Sequence, residues 1–238
     1  MELYIIRHGQ STNNALADPQ NRVCDPPLTE LGQRQAGIVA QHLATGTRLA
    51  PWEWKADNGS EYGYGIRRLY CSPMWRALQT AQHIGRALDL TPEVWVDIHE
   101  RGGMFLDHGE AGGIVGYPGK TRSEILAEFP NCVLPEGITE QGWWHQEGEE
   151  DVSAFYGRAA KVAIELCQWA ANGERIAMVS HGGFINALLK VLFNQLPDHG
   201  IYYHQLNTAI SCLCFRSDGH LDVEYINRMS HLPLELVS

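Results

Sequence analysis

Short apolar runs alternate along this chain with segments whose apolar residues recur every three or four positions. The runs rich in strand-forming residues lie at 3–6, 69–71, 93–96 and 176–179, and a helical pattern follows three of them. Such alternation is typical of α/β proteins, in which helices cover the strands of one sheet. We therefore predict a three-layer α/β fold with a mostly parallel sheet flanked by helices.

Two further apolar runs, at 209–215 and 221–226, flank the pair Asp218-Gly219, which is a strong hairpin signal. A closing hairpin makes the predicted sheet mixed rather than purely parallel. Thr29 is expected to cap the first helix. Ser72 is expected to cap the second, because Pro73 behind it suits the first helical turn.

The 238 residues are enough for one domain with insertions, so we predict a single domain over 1–238. Residues 44–67 and 101–150 are rich in glycine and lack a clear period. We interpret both as loop insertions, the second with a short helix at 123–129. The pair Trp143-Trp144 is expected to pack within the second insertion rather than line a lid.

Composition excludes several classes of protein. Asp and Glu outnumber Lys and Arg by 28 to 18, so a surface that binds nucleic acid is not expected. No stretch approaches the ~20 apolar residues of a membrane span, and the N-terminal run is too short for a signal peptide. We expect a cytoplasmic protein without membrane contact. The six cysteines form no C-x-x-C pair, which indicates free thiols rather than a metal site.

Polar residues follow the predicted strands at their carboxyl ends. Arg7 and His8 follow the first strand, Arg76 lies just beyond the second, Glu100 beyond the third, and His181 follows the fourth. In open α/β sheets these ends form the ligand crevice, so the five side chains are expected to converge. Arginines can hold a phosphate, a neutral imidazole can attack phosphorus, and a carboxylic acid can protonate a leaving alcohol.

The order and composition of these segments resemble the histidine phosphatase superfamily, which includes the phosphoglycerate mutases. The matching segments are Arg7-His8-Gly9-Gln10-Ser11 with Asn14, Ser72 to Ala81 with Arg76-Ala77, Val179-Ser180-His181-Gly182-Gly183, the stretch from Asp25 to Gly32, and Asn207-Thr208-Ala209. The resemblance spans nearly the whole chain. Its three catalytic segments together make a strong signal, whereas any one alone would be weak.

This resemblance implies a role for each residue. His8 would attack phosphorus and become phosphohistidine, while Glu100 would protonate the leaving group and then activate water. The phosphoryl oxygens would be held by Arg7, Arg76, His181, Asn14 and the backbone of Gly182. No cofactor and no metal is implied, and the partner would be a small phosphate ester. The oligomeric state stays open, with a homodimer as one option.

Several assignments have competitors. Gln10 and Ser11 either contact the phosphate or cap a turn. Arg101 and Arg122 either reach the substrate or lie on the surface. The acid assigned to Glu100 has three competing carboxylates: Asp97, Asp107 and Glu110.

Three functions fit these residues: hydrolysis of a phosphomonoester, mutase chemistry through the same phosphohistidine, and a non-catalytic phosphate-binding regulatory module. The module is least favoured, because every residue type that catalysis needs is present. A mutase must grip a highly anionic substrate, yet residues 101–150 contain three basic and nine acidic residues. Asn13 stands where mutases of the family usually carry tryptophan. We therefore predict a phosphatase.

Overall fold

A computed structural model describes residues 1–47, 63–197 and 200–238, so most of the insertion predicted at 44–67 lies outside the described residues. Within that part of the chain the central sheet has six strands: β1 (Glu2–Arg7), β2 (Arg68–Cys71), β3 (Pro92–Val94), β6 (Arg175–Ser180), β7 (Ile210–Phe215) and β8 (Leu221–Arg228). A separate hairpin joins β4 (Phe105–Asp107) to β5 (Ile114–Gly116). The helices are α1 (Glu30–Thr45), α2 (Trp75–Leu88), α3 (Gly109–Gly112), α4 (Arg122–Glu128), α5 (Val152–Trp169) and α6 (Gly182–Leu192).

The central sheet is mixed, as the sequence predicts. Its strand order is β3-β2-β6-β1-β7-β8, with β3, β2, β6 and β1 parallel and the closing hairpin antiparallel. Arg7 of β1 lies beside Ser180 of β6, and Cys71 of β2 lies beside Val179. Three adjacent strands therefore end at one level, and the residues that follow them meet at a single edge of the sheet.

Helices cover both faces of the sheet and confirm the three layers. Side chains of a strand alternate between faces, so Tyr4 and Ile6 pack towards α1 and α2, while Leu3 and Ile5 pack towards α5 and α6. All four are fully buried. None of the helices in the described part of the chain combines the length and the apolar composition that a bilayer crossing requires.

The two predicted helix caps differ in outcome. Thr29 accepts a hydrogen bond from the backbone of Gly32, as an N-cap does. The prediction for Ser72 is wrong, because Met74 is extended and delays the start of α2 until Trp75. Ser72 instead accepts a hydrogen bond from Met74 N and contacts His181.

The segment 101–150 is more ordered than the loop insertion that the sequence suggests. It contains β4, β5, α3 and α4, and α4 confirms the short helix expected near 123–129. A capping box at Thr121 fixes the start of α4. Trp143 and Trp144 are buried in the same apolar cluster as α2, so the prediction that they pack is confirmed.

Candidate active site

A cavity of about 840 Å³ opens at the carboxyl ends of the parallel strands. Arg7, His8, Arg76 and Glu100 all line it, so the predicted convergence of these residues is confirmed. The ring of His181 lies 5.0 Å from the ring of His8, measured between centroids. The cavity is far larger than a phosphate group, which leaves room for the organic part of a phosphate ester.

The protonation of His8 is decided by one backbone carbonyl. Nδ1 of His8 lies 2.7 Å from the carbonyl oxygen of Gly9, and a carbonyl can only accept, so Nδ1 carries the proton. The lone pair is therefore on Nε2, which accepts a hydrogen bond of 3.1 Å from Nε of Arg76. Burial, and then the charges of Arg76 and Arg7, hold the pKa of His8 well below its usual value. His8 is thus a neutral imidazole with a usable lone pair.

Arg76 is a buried cation with an acidic neighbour. Its Nη1 lies 3.8 Å from Oδ1 of Asp25, and that oxygen also accepts a hydrogen bond from the backbone of Trp75. Asp25 therefore faces the first turn of α2 and offsets the charge of Arg76. Burial raises the pKa of Asp25, against the opposing effect of Arg76.

Arg7 and His181 complete the surroundings of His8. Nη1 of Arg7 donates to the carbonyl of Gln205 at 2.6 Å, which aims the guanidinium. Nε2 of His181 lies 2.7 Å from Oγ of Ser72, which also accepts a hydrogen bond from Met74 N. Burial, and then the charge of Arg76, lower the pKa of His181, so the ring is neutral.

Each of these three residues keeps one buried nitrogen without a hydrogen-bond partner among the described residues: Arg7 Nε, Arg76 Nη1 and His181 Nδ1. Buried polar groups in proteins are nearly always satisfied, and Arg7 and Arg76 line the cavity, so their unsatisfied donors indicate an acceptor-rich ligand. Two arginine N–H donors beside a neutral imidazole suit the oxygens of a phosphoryl group. The site can therefore hold a phosphate beside Nε2 of His8.

Glu100 sits against the start of α6. Its carboxylate accepts hydrogen bonds from the backbone of Gly183 at 3.3 Å and of Phe184 at 3.0 Å. Asp97 is paired with Lys161 at the surface, whereas Asp107 also lines the cavity. Of these carboxylates, Glu100 is the one that α6 holds in place.

Ser11 and Asn14 line the cavity, as expected. Oδ1 of Asn14 accepts from the Ser11 backbone at 3.1 Å and from Nδ2 of Asn207 at 3.3 Å. The predicted phosphate contact of Gln10 is not supported, because its Oε1 accepts a hydrogen bond from Oγ1 of Thr29 at 2.8 Å. Gln10 thus belongs to the turn before α1.

The two arginines proposed for substrate binding, Arg101 and Arg122, differ in their surroundings. Arg101 is exposed and lines the cavity. Arg122 is committed elsewhere, because its guanidinium donates to the carbonyl oxygens of Leu134, Pro135 and Ile138. The structure gives Arg122 a role in holding that loop, and the prediction of substrate contact is corrected accordingly.

Sequence reasoning missed two residues that shape the site. Ser72 was assigned to a helix cap, although its neighbour in space is His181. Asn207 donates to the carbonyl of His8 at 3.0 Å as well as to Asn14. One signal for this segment exists only in the backbone: Thr208 adopts a φ of 61°, which is uncommon for a β-branched residue and marks a constrained turn.

Solved structures of known proteins share this fold. A phosphoserine phosphatase mutant from Entamoeba histolytica, in complex with phosphoserine, matches with a TM-score of 0.56 and 23% identity, over 98% of this chain and 99% of that chain. The mycobacterial glucosyl-3-phosphoglycerate phosphatase in complex with VO3 matches with a TM-score of 0.58 and 21% identity, over 96% and 99% of the two chains. These similarities show the shared architecture.

Comparison of sequences gives the family. A probable phosphoglycerate mutase from Yersinia pestis is 26% identical over 199 residues, which cover 84% of this chain and 77% of that protein. The family described as the histidine phosphatase superfamily (branch 1) matches at residues 3–52 and 61–228. The match includes the segments that carry Arg7, His8, Arg76, Glu100 and His181, and the chain therefore belongs to branch 1 of the histidine phosphatase superfamily.

Proposed function

We propose that this protein hydrolyses a phosphomonoester through a phosphohistidine formed on His8. The observation that carries the proposal is the neutral imidazole of His8, whose Nε2 accepts a hydrogen bond from Arg76 in a cavity where Arg7 and Arg76 each keep a buried, unsatisfied N–H donor. This combination provides a nucleophile and a place for the charge of the phosphoryl oxygens.

The first step transfers the phosphoryl group to the enzyme. A bound phosphate takes over the N–H that Arg76 directs at His8 in the free protein, which releases the lone pair of Nε2. Nε2 forms a bond to phosphorus as the bond to the ester oxygen breaks, and protonated Glu100 gives its proton to the leaving alkoxide. The products of this step are an alcohol, a phosphohistidine and the Glu100 carboxylate.

The second step returns the enzyme to its starting state. The Glu100 carboxylate takes a proton from water, whose oxygen attacks phosphorus while the bond to Nε2 breaks. Inorganic phosphate leaves, His8 is neutral again and Glu100 is protonated. The proposed reaction uses no metal ion, since Arg7 and Arg76 supply the positive charge.

Mutase chemistry is the alternative, and the curated relatives named probable phosphoglycerate mutase favour it. The two reactions differ in whether water or a second hydroxyl of the substrate takes the phosphoryl group. The composition of residues 101–150, with three basic against nine acidic residues, supports the phosphatase.

The test is phosphate release from a panel of alkyl and aryl phosphomonoesters that includes 3-phosphoglycerate and phosphoserine, with and without EDTA. Interconversion of 3-phosphoglycerate and 2-phosphoglycerate is assayed beside it. Release of phosphate that resists EDTA, without interconversion, supports the proposal. Interconversion without net release supports the mutase, and the absence of both indicates a non-catalytic phosphate-binding module.

A further inference from the structure

A buried ion pair lies behind Glu100, away from the cavity. Arg158 of α5 is 9% exposed and forms a double hydrogen bond with Glu150, from Nε to Oε1 at 2.9 Å and from Nη2 to Oε2 at 2.6 Å. Removing two charges from water is expensive, and a buried pair adds little net stability compared with apolar side chains of similar volume. The pair therefore calls for an explanation beyond stability.

The remaining N–H groups of Arg158 are directed at backbone carbonyls at and just before Glu100. Nη1 donates to the carbonyl of Asp97 at 2.7 Å and of His99 at 2.9 Å, and Nη2 lies 3.5 Å from the carbonyl of Glu100. These carbonyls belong to the stretch that leaves the sheet after β3 and carries Glu100 to the cavity. A short 3-10 helix (Val96–Ile98) forms part of this stretch, and the carbonyls of Asp97 and His99 are bound by the guanidinium rather than by a neighbouring strand.

Arg158 also packs against Phe184, the residue whose backbone binds the Glu100 carboxylate. Its guanidinium carbon lies 5.0 Å from the ring centroid of Phe184, whose backbone N–H donates to Oε1 of Glu100. Its partner Glu150 donates its own backbone N–H to the carbonyl of Gly102 at 3.0 Å. One cation thus contacts both the backbone of Glu100 and the residue that anchors its side chain.

We propose that Arg158 is a positioning residue for Glu100. It fixes the backbone from which the acid extends, while α6 fixes the carboxylate. General acid catalysis needs the acid within hydrogen-bond reach of the leaving oxygen, so a displacement of about 1 Å reduces the rate. The inference rests on the proposed function, since it concerns how the proton donor of that reaction is positioned.

The test compares two classes of substrate. The double variant Arg158→Met, Glu150→Gln removes the bonds to the carbonyls without leaving a buried charge unpaired. We expect kcat/KM for an alkyl phosphate to fall about tenfold or more, and for an aryl phosphate with an acidic phenol to fall less than about threefold. Only a poor leaving group needs the acid, so this difference is one that a merely structural role would not produce.

Two comparisons sharpen the result. In a Glu100→Gln background the Arg158 and Glu150 changes should add no further loss specific to alkyl phosphates, because the acid they position is already absent. Lys161→Met is the matched control: Lys161 lies on the same helix and pairs with the Asp97 carboxylate, yet donates to none of these carbonyls. This control should leave the alkyl-to-aryl ratio unchanged.

Equal losses on both substrates in a folded double variant, or alkyl-specific losses that add to those of Glu100→Gln, overturn the inference alone. If Glu100→Gln itself treats both substrates alike, the proposed acid fails and the role of Arg158 fails with it. Should the double variant not fold, Arg158→Lys keeps the charge opposite Glu150 with fewer bonds to the carbonyls. An intermediate shift of the alkyl-to-aryl ratio then supports positioning, and an unchanged ratio overturns it.

Discussion

The tautomer of His8 is set by a backbone group, the carbonyl of Gly9. The carbonyl of Gly9 holds the proton on Nδ1, so the lone pair faces the cavity from Nε2. The low pKa of His8 keeps that lone pair available in acidic solution, where an exposed histidine would be protonated. In the proposed reaction, this lone pair can attack phosphorus at neutral pH without a separate general base.

Replacement of His8 tests its role as nucleophile. The variant His8→Ala should lose turnover by about a thousandfold or more, because the proposed covalent intermediate forms on this side chain. The exposed His220 serves as control, and His220→Ala should keep the parent rate. Turnover is measured by phosphate release under saturating substrate. A near-parental rate for His8→Ala would remove the central claim.

Replacement of Glu100 tests its role as acid. Glu100→Gln keeps the size of the side chain but removes its proton, so alkyl phosphates should suffer far more than aryl phosphates with acidic phenols. Hydrolysis of the phosphohistidine should also slow, because water activation is lost, and the intermediate should accumulate after rapid quenching. Equal, modest losses on both substrates would point to Asp107, another carboxylate that lines this cavity. As a control for folding, the circular dichroism spectrum of the variant should match that of the parent.

Among the elements, the strands were the most predictable from sequence, since short apolar runs bounded by polar residues indicated β1, β2, β6, β7 and β8. The convergence of Arg7, His8, Arg76, Glu100 and His181 followed from the rule that ligands bind at the carboxyl ends. The contacts of Ser72 and Arg158 did not follow, because their partners lie far away in the chain. Such contacts depend on the register of strands and the packing of helices, which local patterns do not specify.

The contact between α1 and the loop after β1 depends on Gly32. A Cβ at this position would lie 2.0 Å from the carbonyl oxygen of Gln10, which is backbone and cannot move aside cheaply. Gly32→Ala should therefore destabilise the fold by about 2 kcal/mol or more and reduce turnover, because the loop that carries His8 is displaced.

Gly37 on the same helix provides the matched control. Apart from the adjacent residues and the backbone of the helix itself, no atom of the described residues lies within 4 Å of a Cβ there, so Gly37→Ala should leave turnover unchanged and stabilise the helix by up to ~1 kcal/mol. Urea unfolding monitored by tryptophan fluorescence measures both variants. Equal effects of the two substitutions would show that helix propensity, and not the close contact with Gln10, governs this element.

At the scale of the whole molecule, the fold keeps several histidines neutral. Burial lowers the pKa of His8 and His181, and it lowers that of His99 to about 3. His99 lies against Trp143 and Trp144 and is almost fully buried. His8, His181 and His99 are thus all neutral imidazoles, because burial keeps each of them from taking up a proton.

This property predicts that the protein loses stability in mild acid. The pKa values of His8, His99 and His181 are lower in the folded chain than the usual value of 6.5, so the unfolded chain binds more protons as the pH falls below 6.5. Each such histidine contributes a loss of about 1.4 kcal/mol between pH 7.5 and pH 5.5, about 4 kcal/mol for the three. Asp25 acts in the opposite direction, because burial raises its pKa in the folded chain, whereas burial also lowers the pKa values of His42, His83 and His231 and so adds to the loss.

Urea unfolding at pH 7.5, 6.5 and 5.5 measures how the free energy of unfolding changes with pH. His99→Asn removes one titrating ring and keeps a donor for the carbonyl of Val96, so its loss between pH 7.5 and pH 5.5 should be smaller by about 1.4 kcal/mol. His220→Ala removes an exposed ring, so its free energy of unfolding should fall as much between pH 7.5 and pH 5.5 as that of the parent. A free energy of unfolding that stays constant over this range would contradict the neutral imidazoles and, with them, the protonation state assigned to the nucleophile.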